Sequence, residues 1–151
     1  MSVTKKIFVM MGLLFIAAAA GGAWWWSKNG DTLLAELRQQ GKEATAAGEK
    51  LGRSTSPSSC VQSAAANGRQ CSPADALCEV KARVFLNGCL STTQDLPQFC
   101  ATLPPYEDRV NRLGWAVQFC ASDGEATERC ARIANEAAVF CAKRYANSST
   151  G

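Results

Sequence analysis

Apolar and polar positions divide this chain into two regimes. From Ile7 to Trp26 no charged or strongly polar side chain interrupts the run, and beyond those twenty residues come segments in which apolar residues recur at helical spacing. At about 1.5 Å per residue the first run reaches roughly 30 Å, the thickness of a bilayer's hydrocarbon core. It therefore predicts a transmembrane helix. After the run, Asp31 is placed to cap a helix reaching about Leu51, with a thin stripe of Leu33, Leu34, Leu37, Ala44 and Leu51. Gly41 and Gly48 interrupt it, and glycine costs about 1 kcal/mol against alanine inside a helix, so the expectation is a frayed or partner-dependent helix. RSTSPSS, residues 53–59, reads as a linker.

Beyond the linker the pattern is repeated helix. Segment one covers about 59–67, with Asn67-Gly68 as its stop. Segment two opens on Ser72-Pro73-Ala74-Asp75, which offers an N-cap serine, proline at the first helical position and an acid three residues after the cap. Leu77, Val80 and Val84, with Cys78 and Phe85, supply its apolar face before Asn87-Gly88. A short helix carries 96–101. Segment three begins after Pro104-Pro105, with Tyr106, Val110, Leu113, Val117 and Cys120 as a core stripe. Segment four begins at a capping box, Ser122 to Glu125, and presents Cys130, Ile133, Ala134, Ala137, Cys141 and Tyr145. No stretch shows β alternation. The fold class expected is all-α, an N-terminal transmembrane helix followed by a small disulfide-stapled helical-hairpin domain, with segments three and four antiparallel and segment two across them. The divisions are a span at 1–27, a juxtamembrane helix and linker at 28–58, the disulfide-rich domain at 59–146 and a disordered tail at 147–151.

The N-terminal run also supplies an address. Lys5 and Lys6 precede it, which favours a cytoplasmic N-terminus, and Trp24, Trp25 and Trp26 fall where an aromatic belt would meet the opposite headgroups. Ile7 to Ala20 would equally serve as a signal-peptide core, with Ala18-Ala19-Ala20 as a small-x-small cleavage site. Either way, the cysteine-rich part of the chain is exported. Ala17 with Gly21 and Ala18 with Gly22 place small residues on one face, where another subunit's transmembrane helix could approach closely.

All eight cysteines lie between Cys60 and Cys141. A segment of this size buries limited apolar surface and gains from cross-links of ~2 to 4 kcal/mol each, which require an oxidising compartment. Cys60 to Cys71, Cys78 to Cys89, Cys89 to Cys100 and Cys130 to Cys141 are each eleven apart. Eleven residues fall within about 20° of three full helical turns, so such cysteines share a helix face. In antiparallel helices opposed positions have nearly constant index sums, which selects Cys60–Cys89 with Cys71–Cys78, provided the latter pair comes within a Cα separation of about 7 Å. Cys120 and Cys130 flank a turn, leaving Cys100 and Cys141. A rival set, Cys89–Cys141 with Cys100–Cys130, satisfies the same sum rule. Cys60 to Cys89 resembles the twin C-x9-C hairpins of the CHCH family, whose two helices are bridged in nested fashion; the gaps here are C-x10-C. The exported N-terminus sets aside the mitochondrial import that family often uses.

The remaining chemistry is read by exclusion. There is no histidine and no close cysteine pair, so neither a zinc site nor a C-x-x-C redox centre is expected, and no cofactor. Asp75 and Glu125 read as caps, and Glu107, Asp108, Glu128 and Glu136 as solvated faces. A net charge of +3, with both signs interspersed, lacks a nucleic-acid binder's basic stripe. Trp115 and Phe119 form either a second core face or an exposed interface. Together these features lead us to expect a non-enzymatic, single-pass accessory subunit of an envelope or membrane complex, its C-terminal domain periplasmic and engaged in protein–protein interaction. The alternative is a soluble exported inhibitor or immunity protein.

Overall fold

The computed structural model describes residues 3–72, 74–122 and 128–145, and no strand occurs among them. Among the described residues six helices succeed one another: α1 (Val3–Gly52), α2 (Pro57–Arg69), α3 (Ala76–Thr92), α4 (Leu96–Ala101), α5 (Arg109–Ser122) and α6 (Glu128–Tyr145). The chain divides into two compact units, Met1–Gln39 and Gln40–Gly151. In the first, the apolar side chains of α1 face outward, Phe8, Leu14 and Phe15 being 66 to 79 % exposed. This helix is long and apolar enough to cross a membrane.

In the second unit α6 is central, packing against α2, α3 and α5, while α2 and α3 pack on each other. Its buried face is Cys130, Ile133, Ala134, Ala137 and Cys141, the i, i+3, i+4 pattern of one helix stripe. Cys60, Val61, Ala64 and Ala65 of α2 and Ala82, Leu86, Cys89 and Leu90 of α3 meet it. This is a core of small side chains. Among the described residues that are fully buried, only Leu86, Leu90, Ile133 and Val61 are large aliphatics. Such a core lets helices approach closely but removes little apolar area from water, at about 25 cal/mol per Å².

Four disulfides reinforce it. Cys60–Cys89 and Cys71–Cys78 join α2 and its C-terminal end to α3, with Cα separations of 5.7 and 5.6 Å. Cys100–Cys141 ties α4 to the end of α6, and Cys120–Cys130 bridges α5 to α6, at 5.5 and 6.1 Å. None of the eight thiols is free.

Several local expectations are corrected by tertiary structure. Segment two is capped not by Ser72 but by Asp75, whose Oδ1 accepts the Cys78 N–H at 2.9 Å. Ser72 instead closes a turn, its carbonyl accepting the Asp75 N–H; that turn lets Cys71 fold back onto Cys78. Segment one begins earlier, at Pro57 behind the Ser56 cap, and runs through Gly68 to Arg69. Asp108, read as a solvated face, is half-buried and caps α5, its Oδ1 accepting the Asn111 N–H at 3.1 Å. The capping box at 122–125 and the tail at 147–151 lie outside the described residues.

The expected breaks at Gly41, Gly48 and Asn87-Gly88 do not occur, because α1 and α3 each run unbroken through their glycines. Gly48 and Gly52 lie against the α3 backbone. A Cβ on Gly48 would meet the Phe85 carbonyl and sit 2.9 Å from the Cys89 nitrogen, and one on Gly88 would sit 2.5 Å from the Thr45 carbonyl. Thr92 reinforces the crossing by donating its hydroxyl to the Glu49 carbonyl at 2.9 Å. Loss of a side chain here serves close approach, which outweighs the propensity cost.

Glycine substitutions separate crossing from propensity. Gly48→Val should lower the melting temperature of the oxidised full-length chain by an amount equivalent to about 1–3 kcal/mol or more, since rigid backbone must yield. Gly41→Ala, where a Cβ meets open space, should gain up to about 1 kcal/mol. Equal effects from both in thermal circular dichroism would contradict the crossing. Among the staples, replacing Cys100 and Cys141 together by serine opens a loop with a sequence separation of 41 and should cost about 4 kcal/mol. Replacing Cys71 and Cys78, only 7 apart, should cost about 2 kcal/mol. Denaturant titration of the two double variants checks that order.

Candidate interaction surface

The surface of the stapled unit is set by which face of each helix the core takes. On α5 the buried positions are Arg112, Ala116 and Cys120, at 8, 0 and 0 % exposure. Trp115 and Phe119 flank them, half-buried and packed against the core. The Trp115 ring lies 5.4 Å from Phe119 and stands edge-on to Phe99 of α4 at 6.5 Å. Of the two placements that the sequence allows this pair, the structure takes the core.

The consequence reverses the stripe expected on this helix. Val110, Leu113 and Val117 point to solvent at 81, 52 and 50 % exposure, and Tyr106 is half exposed. A helix at the edge of a small domain can bury one face only. The aromatic face carries more apolar area, since each such ring buries about 150–250 Å², and it also bears Cys120, which must reach Cys130. A similar reversal occurs on α3: Leu77 and Val80 are about half exposed, while Ala82, Leu86, Cys89 and Leu90 take the core.

Arg112 is a residue the sequence did not single out. Its Nε donates to Asn135 Oδ1 at 2.9 Å, its Nη1 donates to the Tyr106 carbonyl, and the guanidinium lies 4.6 Å from the Tyr106 ring centroid. These partners offset the desolvation of a buried cation. They also fix the segment leading into α5. Beside it, Pro97, Leu103, Pro104, Pro105, Tyr106 and Tyr145 line much of an apolar cleft of about 370 Å³.

A second polar centre holds α3 to α6. Arg132 of α6 grips Glu79 of α3 in a fork, Nε to Oε1 and Nη2 to Oε2, both at 3.0 Å. Arg83 donates to Glu79 Oε1 at 2.6 Å from one turn away, and Arg129 lies 3.9 Å from Oε2. Arg129 also donates to the Cys71 carbonyl at 2.6 Å, joining the clasp to the Cys71–Cys78 bridge. The Arg132 hydrogen bond is the main cause that draws the Glu79 carboxyl down to about 2 against an ordinary 4.5, with Arg83 adding to it against the opposing effect of burial. Glu79 in turn raises the Arg132 pKa. The local i, i+4 pairing of Glu79 with Arg83 was the only sequence sign of this clasp.

In the first unit, Trp24, Trp25 and Trp26 are 52 to 66 % exposed. Ser27 and Asn29 donate their side chains to the Trp24 and Trp25 carbonyls at 2.8 and 2.9 Å, and Gly30 sits beneath the Trp26 ring. Gly21 and Gly22 face open space, with Ala17 and Ala18 exposed beside them. Among the described residues no group of three or more potential metal ligands occurs. No family model matches this chain, nor does any curated protein or solved structure.

The clasp generates a pH prediction with a definite sign. A carboxylate whose folded pKa is depressed stabilises the fold fully above its unfolded value of 4.5, and that contribution drains away as pH falls to about 2. Glu79→Gln should therefore cost about 1–2 kcal/mol at pH 7, given charged hydrogen bonds partly open to water. Melting temperatures of wild type and variant should converge between pH 4.5 and about 2. Superimposed curves at every pH would show that the clasp contributes nothing, and a constant offset through that window would show that its contribution does not come from the ionised carboxylate.

Proposed function

We propose that this protein is a non-enzymatic, single-pass accessory subunit of an envelope or membrane assembly, its N-terminus cytoplasmic and its stapled domain presented on the periplasmic side for protein–protein contact. The observation that carries the reading is the uncovered apolar length of α1, whose side chains from Phe8 to Trp26 stand exposed wherever they are described. Water would oppose such a surface, and a bilayer would cover it. Lys5 and Lys6 ahead of the span support the orientation. Oxidised cysteines support an exported domain. They also support a role without thiol chemistry, since a disulfide sulfur has no thiolate to offer as ligand or nucleophile. Exposed apolar side chains on α3 and α5 support contact with other protein surfaces.

Expression in a Gram-negative host tests this directly. The mature chain should keep residues 1–27 by intact mass, resist carbonate extraction, and lose its C-terminal domain to protease added to spheroplasts. A chain shortened by about twenty residues and released into the soluble periplasmic fraction would instead establish the soluble exported binder, such as an inhibitor or immunity protein.

A further inference from the structure

We propose that the Cys71–Cys78 bridge is a redox-controlled selector between two starts for α3: closed, it sets the helix start at Asp75; opened by a dithiol, it lets α3 begin one turn earlier, behind Ser72. The device lies within the stapled unit and does not depend on how α1 is anchored. Residues 72–75 read Ser-Pro-Ala-Asp, a serine cap, a proline at the first helical position and an acid three residues on. In the oxidised chain this signal does not cap the helix. Ser72 is exposed and closes a turn through its carbonyl, which accepts the Asp75 N–H at 3.1 Å, while Asp75 Oδ1 caps α3 by accepting the Cys78 N–H at 2.9 Å. The bridge and the earlier start exclude each other. At a rise of 1.5 Å per residue, a helix begun behind Ser72 climbs about 9 Å from Ser72 to Cys78, with Cys71 one residue further back. A disulfide needs its Cα atoms within about 7 Å, and the bridged pair stands 5.6 Å apart.

Access and cost single out this bridge among the four. Cys60, Cys89, Cys120 and Cys130 are each 2 % exposed or less, which closes two bridges to an attacking thiolate. Cys78 is half-buried, and so is Cys100. Cys100–Cys141, however, spans a sequence separation of 41 against 7 for Cys71–Cys78, so opening it releases far more chain entropy to the unfolded state. Opening the short bridge leaves the fold standing, because Cys60–Cys89 still holds α2 to α3. The electron donor is a dithiol. Its thiolate attacks one sulfur of the bridge, forming a mixed disulfide and releasing the other cysteine as a thiolate, which takes up a proton. The donor's second thiol then closes a disulfide within the donor and frees the second cysteine as a thiol. Two electrons and two protons thus pass from donor to bridge.

The change is felt at the contact with α6. Arg129 donates to the Cys71 carbonyl at 2.6 Å and lies 3.9 Å from Glu79 Oε2. An earlier helix start withdraws that carbonyl from Arg129. It leaves the fork between Arg132 and Glu79 in place, since Glu79 is helical with either start. The bistable element is therefore one turn of chain at the corner between α2 and α3, and the thiol state of the surroundings chooses between its two forms.

The test uses the full-length chain in detergent micelles, with dithiothreitol as the dithiol. Alkylation and peptide mapping after graded reduction should find Cys71 and Cys78 modified at a dithiothreitol concentration at least tenfold below that which opens any other pair. The Leu77 amide, in the first turn of α3, has no helical acceptor there. On opening it should gain at least tenfold protection from hydrogen exchange, because the earlier start supplies a carbonyl four residues back. The joint variant Cys71→Ser with Cys78→Ser holds the open form without reductant and should show the same gain. Adding Ser72→Ala to it should abolish most of that protection, whereas Ser72→Ala alone should leave the melting temperature of the oxidised chain unchanged. Another pair opening first, or all four opening together, would overturn the redox control. Leu77 protection that stays level or falls in the joint variant would show a fraying helix and overturn the second start. So would a Ser72→Ala effect of equal size in the closed and open forms.

Discussion

Covalent sulfur bridges between neighbouring helices are the constraint on which the rest of this molecule depends. Its second unit is built largely from alanine, glycine and cysteine where helices touch, so its core excludes less water-exposed hydrocarbon than a leucine-rich bundle of equal length. Cross-links offset that deficit by restricting the unfolded chain. They also fix register. With Cys60 and Cys71 on the α2 side joined to Cys89 and Cys78 of α3, the two helices cannot slide by a turn, and Cys100–Cys141 holds α4 and the chain leading into α5 against the far end of α6.

Fixed register makes the finer contacts dependable. Gly48 and Gly88 allow the α1 and α3 backbones to approach because neither carries a Cβ, while two bridges hold α3 against the α2 side. The Glu79 fork to Arg132 needs both helices at a set height, and Arg129 reaches the Cys71 carbonyl only where the short bridge has folded that residue back. Exposed apolar positions result from the same arrangement. Once Cys120 is committed to Cys130 and the Trp115 ring packs against both Phe99 and Phe119, the valines and Leu113 of α5 have no interior left to enter.

Helical class, the short α4 and the buried face of α6 were legible in the sequence because each depends on local periodicity. Sequence and structure diverge where local and tertiary preferences compete. On α5 there are two apolar faces, and periodicity alone favoured the valine-bearing one; only the aromatic partner on α4 reveals which is inside. Gly48 and Gly88 look like helix breakers until a second backbone is placed beside them. Ser72 satisfies every local requirement of a cap, yet Asp75 takes that place because Cys71 must return to Cys78. Glu79 and Arg132 are 53 residues apart, so no window of sequence could pair them. The tryptophans that close the apolar run can be picked out by type and position alone, whereas the exposed α5 face could be found only after its burial was known.

A domain stapled in this pattern implies one chemical state for all eight sulfurs. Peptide mapping by mass spectrometry, on the native chain alkylated and digested without reduction, reads that state directly. The account predicts no alkylated cysteine and four linked pairs, Cys60 with Cys89, Cys71 with Cys78, Cys100 with Cys141 and Cys120 with Cys130. Alkylation of several cysteines in the native protein, or peptides joining Cys89 to Cys141 and Cys100 to Cys130, would contradict it.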